Sequence, residues 1–181
     1  MEHCVTTAHV ALRHYTHSDL AEIRQTLLDV HADAYGDRMT EDFVQRFPWF
    51  VDHWGGKPGF FCVIAYDADE EAIGFTYGAP AEAGREWWRD YVDPAPTDTS
   101  TFAVSELMLR VKWRGHGLGQ QLHDALLGAR NEALAVLTVD TKRPKLQALY
   151  ESWGYRKVGE QQPFPDSPVY AVMMFDLKAG I

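Results

Sequence analysis

The sequence predicts an α/β fold, a central twisted sheet of mixed parallel and antiparallel strands (an α+β mixed sheet) flanked by helices. Three observations carry that expectation. Two apolar runs separated by Asp67-Ala68-Asp69-Glu70 read as an antiparallel hairpin, two further apolar runs at 102–111 and 134–139 are separated by a helix pattern, and amphipathic helix patterns precede and follow them. Strands joined both by tight turns and by helices pack most simply as one mixed sheet covered on both faces. At 181 residues the chain suits one domain, 1–181, and is too short for a second independent core.

Val10 to Tyr15 reads as a first strand. Thr16-His17-Ser18-Asp19 then offers a cap for a helix running to about Ala34, with Leu20, Ile23, Leu27 and Val30 or His31 on one face. A second helix pattern starts at Thr40 and runs toward Trp54, kinked or broken at Pro48. Its aromatics, Phe43, Phe47, Trp49, Phe50 and Trp54, fit either the core or the wall of an acceptor pocket. Gly55-Gly56-Lys57-Pro58-Gly59 is a turn, and strands follow at 60–66 and 71–78. Between Ala81 and Ser100 the pattern breaks. Arg85 to Tyr91 reads as a short helix or lid, and the adjacent Trp87 and Trp88, which cannot both face one narrow stripe, fit a lid over a site or a dimer surface.

The long strand Phe102 to Val111 leads into a glycine-rich segment, and a helix follows from Leu118 to about Ala133. Leu134 to Val139 has the composition of a strand buried on both faces. Leu146 to Trp153 is a short helix closed by Gly154. Tyr155 to Gly159 and Val169 to Leu177 complete the sheet, the last strand either closing one monomer or offering the edge of a homodimer.

A formal charge of −9 makes nucleic acid a poor partner, because such binding depends on Lys and Arg neutralising phosphates. An amine-bearing acceptor is steered better. The cysteines, Cys4 and Cys62, are too few for a disulfide framework and point to a reducing, cytoplasmic setting; Cys62, inside Phe60 to Ile64, reads as a buried thiol. No window approaches the ~20 apolar residues of a membrane span, so no membrane partner is expected. His14, His17, His31, His53, His116 and His123 fall in different elements without a close Cys or carboxylate set, so no metal site is expected. Ser105 and Ser152 lack a nucleophile-elbow context.

The functional signal is Arg114-Gly115-His116-Gly117-Leu118-Gly119. Glycines at alternate positions before a helix let backbone amides approach a ligand closely, and the first amides of the helix have no acceptor of their own. Together with the positive end of the helix dipole and with Lys112 and Arg114, they suit a diphosphate. No Lys-Ser or Lys-Thr pair follows Gly119, which disfavours a nucleoside triphosphatase loop. The third-glycine spacing of a dinucleotide site is also missing.

Arg114-x-x-Gly117-x-Gly119 resembles the acetyl-CoA signature of the GNAT superfamily of N-acetyltransferases. Leu149-Tyr150-Glu151-Ser152-Trp153-Gly154-Tyr155 resembles the family's Leu-Tyr-Glu-x-x-Gly-Phe segment, and the element order from Leu12 to Leu177 is similar too. The resemblance implies acetyl-CoA as cofactor. The backbone of Leu109 and Val111 would bond the pantetheine arm, and the amides of Arg114, Gly115, His116, Gly117, Leu118, Gly119 and Gln120 would enclose the diphosphate. It also implies that the strands containing Leu109 and Val139 part at their ends. Arg110-Val111-Lys112 replaces a frequent proline-containing turn, and Arg143 stands where many members have Asn.

The same resemblance sets Tyr150 near the sulfur, where a phenol can donate a proton or a hydrogen bond. Glu106, an acid in an apolar strand, is either the general base facing a cleft or a paired surface group, with a water relay as the alternative route. Alternation groups Glu106 with Val104 and Met108, opposite Ser105, Leu107 and Leu109. Asp140 and Thr141 lie just past a strand end, a usual place for ligand groups. Asp33, Tyr35 and Asp37 fall in the interhelical region that shapes the family's acceptor pocket, and Trp87 joins them if the 81–100 segment is a lid. The expected function is acetyl-CoA-dependent acetylation of a small-molecule amine. The alternatives are a protein or peptide N-terminus as acceptor, or a noncatalytic acyl-CoA sensor.

Overall fold

The computed structural model describes residues 10–179; the termini of the expected 1–181 domain, including Cys4, lie outside the described residues. The elements are β1 (Ala11–Thr16), α1 (Leu20–Tyr35), α2 (Asp42–Gln45), α3 (Phe47–Gly55), β2 (Phe61–Tyr66), β3 (Ala72–Pro80), β4 (Thr101–Leu109), α4 (Leu118–Gly128), β5 (Leu134–Asp140), α5 (Pro144–Ser152), β6 (Arg156–Gln161) and β7 (Tyr170–Asp176). They form one seven-stranded sheet in the order β1-β2-β3-β4-β5-β7-β6. Every neighbouring pair is antiparallel except β4 and β5, which are joined through α4 and run parallel.

Local chemistry accounts for most boundaries. Pro48 stands in the first turn of α3, where its missing N–H costs nothing, and the segment expected to be kinked or broken there is broken into two short helices. Pro144 likewise opens α5, two residues before the expected start. Helix α4 ends at Gly128, several residues before Ala133, which is already buried at the mouth of β5. Strand β7 lies between β5 and β6 with Ala171 to Met174 buried. It therefore closes the sheet from within, and β1 and β6 are the edges.

Helices α1 and α3 cover one face of the sheet, packing Ile23, Leu27, Val30, Phe47 and Val51 on Cys62, Ile64, Phe75 and Tyr77. Helices α4 and α5 cover the other, where Leu118, Leu122, Leu126 and Tyr150 meet Val63, Ile73, Phe102, Val104 and Leu137. The two faces exchange residues along β4. Tyr77 pairs with Glu106 but Gly78 pairs with Val104, leaving Ser105 as an unpaired bulge residue. Val104 consequently packs under α4 and Met108 under α1. This corrects the simple alternation, which grouped Val104, Glu106 and Met108 together. Gly78 is required at the bulge, because a Cβ there would stand 2.1 Å from the Ala103 carbonyl oxygen.

The segment 81–100 contains only one short 3-10 turn, Arg89–Tyr91, and is not a lid. Trp88 is fully buried against Ala103, Leu134, Val136 and Met174, and its Nε1 donates to Thr101 Oγ1 at 2.9 Å. Trp87 packs on the same cluster and meets Trp54 edge-on at 5.8 Å. The two indoles do point different ways, but both pack inward at the N-terminal end of β4.

Candidate active site

A gap in the sheet creates the site. Strands β4 and β5 pair only from Thr101 to Ala103 against Leu134 to Val136. Beyond Ala103 the bulge at Ser105 turns β4 away, while β5 remains paired with β7 as far as Asp140. The unpaired edge of β4 thus faces an opening, consistent with the parting expected between Leu109 and Val139. Ligands of open α/β sheets bind at such strand ends.

One wall of the opening ends in the glycine loop. Gly115 and Gly117 have φ of +81° and +76°, and no atom lies within 4 Å of where a Cβ on either would stand. Left-handed backbone and free space together fit a loop that approaches a ligand closely. Gly117 caps α4, and the N–H groups of residues 115–117 have no acceptor among the described residues. Those of Leu118, Gly119 and Gln120 open the helix and have no intrahelical acceptor. His116 and Gln120 are exposed beside them. Leu107 and Leu109 pack behind Gly119 on the helix side of the sheet. The donor set therefore fits a diphosphate.

Two further contacts join this loop to α1. Val111 N–H donates to Asp33 Oδ1 at 3.0 Å, and an Arg114 Nη2–H donates to the Ala34 carbonyl at 2.9 Å. Arg110, with Nε donating to the Ala72 carbonyl at 2.7 Å, brings Nη1 within 3.7 Å of Asp33 Oδ2. Asp33 is thus engaged by the chain's own groups; the structure ties it to the cofactor loop instead of leaving it free for an acceptor. Its neighbour Asp37 lies exposed in the following 3-10 turn.

The other wall is polar in an unusual way. Glu106 is half-buried and its carboxylate accepts no hydrogen bond among the described residues. Burial pushes its pKa up to about 8. Its charge acts on four phenols brought in by four different elements: Tyr35 from α1, Tyr77 from β3, Tyr150 from α5 and Tyr170 from β7. All four are raised, chiefly by burial and then by that carboxylate, Tyr150 to about 12. Tyr77 Oη is completely buried without a hydrogen-bond partner among the described residues. An orphaned hydroxyl beside an unbonded carboxylate is costly in a protein interior, and such atoms mark a place prepared for a polar ligand.

Of the residues expected at the site, Tyr150, Glu106 and Tyr35 come together here. Tyr150 stands edge-on to Trp153 and Tyr155, at ring separations of 5.1 and 5.8 Å, which fixes its ring. Asp140 ends β5 opposite Tyr170 and accepts the Lys142 N–H at 2.9 Å. Thr141 Oγ1 donates to the Val169 carbonyl at 3.0 Å, tying the turn to the start of β7. Trp87 lies with Trp88 at the opposite end of β4 and is not part of this cluster. Tyr77 and Tyr170 were not expected. Nothing local in the sequence distinguishes them from ordinary strand aromatics; only the cross-strand register and the placing of β7 beside β5 bring them in.

Among the described residues no group of three or more His, Cys, Asp or Glu is placed to hold a metal ion. No described helix is long and apolar enough to cross a membrane.

Residues 95–169 match the acetyltransferase (GNAT) domain family, a span that contains the glycine loop, Glu106 and Tyr150. No curated protein matches the chain in sequence. Among solved structures, PH1933 from Pyrococcus horikoshii OT3 superposes with a TM-score of 0.66 at 20% identity, covering 93% of this chain and 98% of that one. Arabidopsis thaliana NAA60 in complex with acetyl-CoA gives 0.65 at 15% identity over 93% and 98% of the two chains. The PaiA N-acetyltransferase of Thermoplasma acidophilum in complex with coenzyme A gives 0.59 at 13% identity over 93% and 99%. These likenesses show the fold.

Proposed function

We propose that this chain, whose residues 95–169 match the acetyltransferase (GNAT) domain family, is an acetyl-CoA-dependent N-acetyltransferase acting on the primary amine of a small molecule. The observation that carries the reading is the unbonded Glu106 carboxylate among the hydroxyls of Tyr35, Tyr77, Tyr150 and Tyr170. A hydroxyl-lined recess whose carboxylate ionises near 8 takes in an amine and, once ionised, accepts a proton from its ammonium form.

The residues fit the cofactor. The amides of Arg114 through Gln120 would hold the diphosphate, and the free edge of β4 near Leu109 would lie along the pantetheine arm. Bound acetyl-CoA supplies the acyl group as an activated thioester. The chain's part is to deliver a neutral amine and to stabilise the sulfur as it leaves. Glu106, held near 8, matches the task of removing a proton from an ammonium at neutral to mildly alkaline pH, directly or through one water. Tyr150, held near 12, keeps its proton. Complete transfer to a thiolate of pKa about 8.5 is uphill, so the phenol acts as a hydrogen-bond donor to the departing sulfur.

The test is release of free thiol from acetyl-CoA over a panel of small amines, with Glu106→Gln and Tyr150→Phe alongside the wild type. Turnover that falls on the order of 100-fold in Glu106→Gln, with coenzyme A affinity retained, supports the assignment. Tight coenzyme A binding with no thiol release for any amine instead makes the chain a noncatalytic acyl-CoA-binding module.

A further inference from the structure

The recess has a cation at its rim that the acyl-transfer chemistry does not use. Arg143 follows β5 in a tight turn, its N–H donating to the Asp140 carbonyl at 2.9 Å, and it is the N-cap residue of the nine-residue α5. Eight arginines of the chain, Arg13, Arg24, Arg38, Arg46, Arg85, Arg89, Arg110 and Arg130, lie against a carboxylate. Arg114 is bonded to a backbone carbonyl, and Arg156, exposed on the edge strand β6, has neither kind of partner among the described residues. The exposed Arg143 side chain has no partner of either kind among the described residues, in a chain with 26 acidic and 17 basic side chains.

Its position is not that of an ordinary surface charge. Tyr150 lies seven residues further along, inside α5, and side chains on a helix lean toward its N-terminus, so the ring is directed back toward the turn that holds Arg143. The guanidinium acts on both Tyr150 and Tyr35, the two phenols on either side of the opening. The other cation there, Arg38, is already closed off by Glu41, which takes its Nε and Nη2 at 2.8 and 2.9 Å. Asp140, at the end of β5, is occupied in capping its own turn. Deeper in, the buried Tyr77 Oη, unpartnered, stands beside Glu106. The recess therefore has a carboxylate and one orphaned hydroxyl inside and one uncommitted, fork-shaped cation at its edge.

We propose that Arg143 binds a carboxylate carried by the acceptor, so that the preferred acceptor is an amino acid-like zwitterion with its ammonium at Glu106. The inference rests on the acceptor recess assigned under the proposed function. Guanidinium is suited to this role because its parallel N–H donors match a carboxylate in two bonds. The N-terminal end of α5 adds a smaller attraction of the same sign.

The experiment pairs short ω-amino acids with their own carboxamides as acceptors for acetyl-CoA, in the wild type, Arg143→Gln and Arg143→Lys. Comparing the carboxylate-to-carboxamide ratio of kcat/KM between variants cancels differences in amine basicity. The wild-type ratio should exceed that of Arg143→Gln by roughly 10- to 100-fold, with Arg143→Lys between them and the change carried by the acceptor's KM. A ratio unaffected by Arg143→Gln overturns the inference while leaving acetyl transfer standing. A rise in the KM for acetyl-CoA, equal for both acceptors, also overturns it by assigning Arg143 to the cofactor's phosphates. If no amine turns over, calorimetry of the same pairs in the presence of coenzyme A still decides: carboxylate binding lost in Arg143→Gln supports the zwitterion site, and its absence rejects it.

Discussion

Tyr77 and Glu106 stand directly opposite one another on β3 and β4, immediately before the bulge at Ser105, so both side chains rise from the same face of the sheet. Their polar ends are left without hydrogen-bond partners among the described residues. A buried hydroxyl without a partner opposes folding, whereas Phe fills the same volume without that cost. Tyr77→Phe should therefore leave the melting temperature unchanged or raise it, while raising the acceptor KM about 5- to 10-fold. Thermal unfolding and steady-state kinetics on one preparation check both halves. A destabilised Tyr77→Phe would mean that the hydroxyl has a structural partner and is no ligand group.

Glu106 links the site to pH. Its folded pKa lies near 8, well above that of an unfolded glutamate at about 4.3. The folded state thus binds this proton more tightly, so ionisation weakens the fold progressively as pH rises from about 4 to about 8. The neutral Glu106→Gln lacks that loss. The difference in melting temperature, Glu106→Gln minus wild type, should grow across this window and level off above it. In the same protein the alkaline rise of kcat/KM, centred near 8 in the wild type, should flatten. A pH-independent difference in stability would show that Glu106 titrates at an ordinary value.

Much of this was legible in the residues themselves. The glycine loop, the central β5 and the Tyr150 segment each depend on local pattern: glycine where φ is positive, unbroken apolar runs where both faces are covered, and a helix closed by Gly154. What failed were judgements that depend on neighbours far along the chain. The adjacent Trp87 and Trp88 suggested a lid, yet Trp88 fills the start of β4 because Ala103 is small there and Thr101 supplies an acceptor for its N–H. Alternation misplaced Val104 relative to Glu106 because one bulge residue inverts the faces, and a bulge leaves no mark in a run of apolar residues. Tyr77 and Tyr170 join the site only through strand register and strand order, both set by pairing in three dimensions.

Asp33 and the pantetheine arm are expected to use the same donor, the Val111 N–H, which in this structure is bonded to Asp33 Oδ1 at 3.0 Å. Releasing a half-exposed hydrogen bond of this kind costs about 0.5–1.5 kcal/mol. Asp33→Ala should accordingly tighten coenzyme A binding by roughly 2- to 10-fold, whereas Asp33→Asn, which keeps an oxygen acceptor, should stay close to the wild type. Calorimetric titration with coenzyme A separates them. Weaker binding in Asp33→Ala would instead show that the contact holds the loop in its binding conformation.

Gly117 separates backbone strain from ligand contact. At φ of +76° it occupies a region that costs an L-residue roughly 1–2 kcal/mol, so Gly117→Ala should lower stability by about that amount. No atom lies within 4 Å of the added methyl, so nothing in the protein itself clashes with it. The methyl does project into the space assigned to the diphosphate. Gly117→Ala should therefore weaken coenzyme A binding well beyond its effect on stability, while dephosphorylated pantetheine, which lacks the diphosphate, should be affected far less. Equal losses for both ligands would assign the effect to a disturbed loop, whereas a loss confined to coenzyme A places the diphosphate against the amides that open α4.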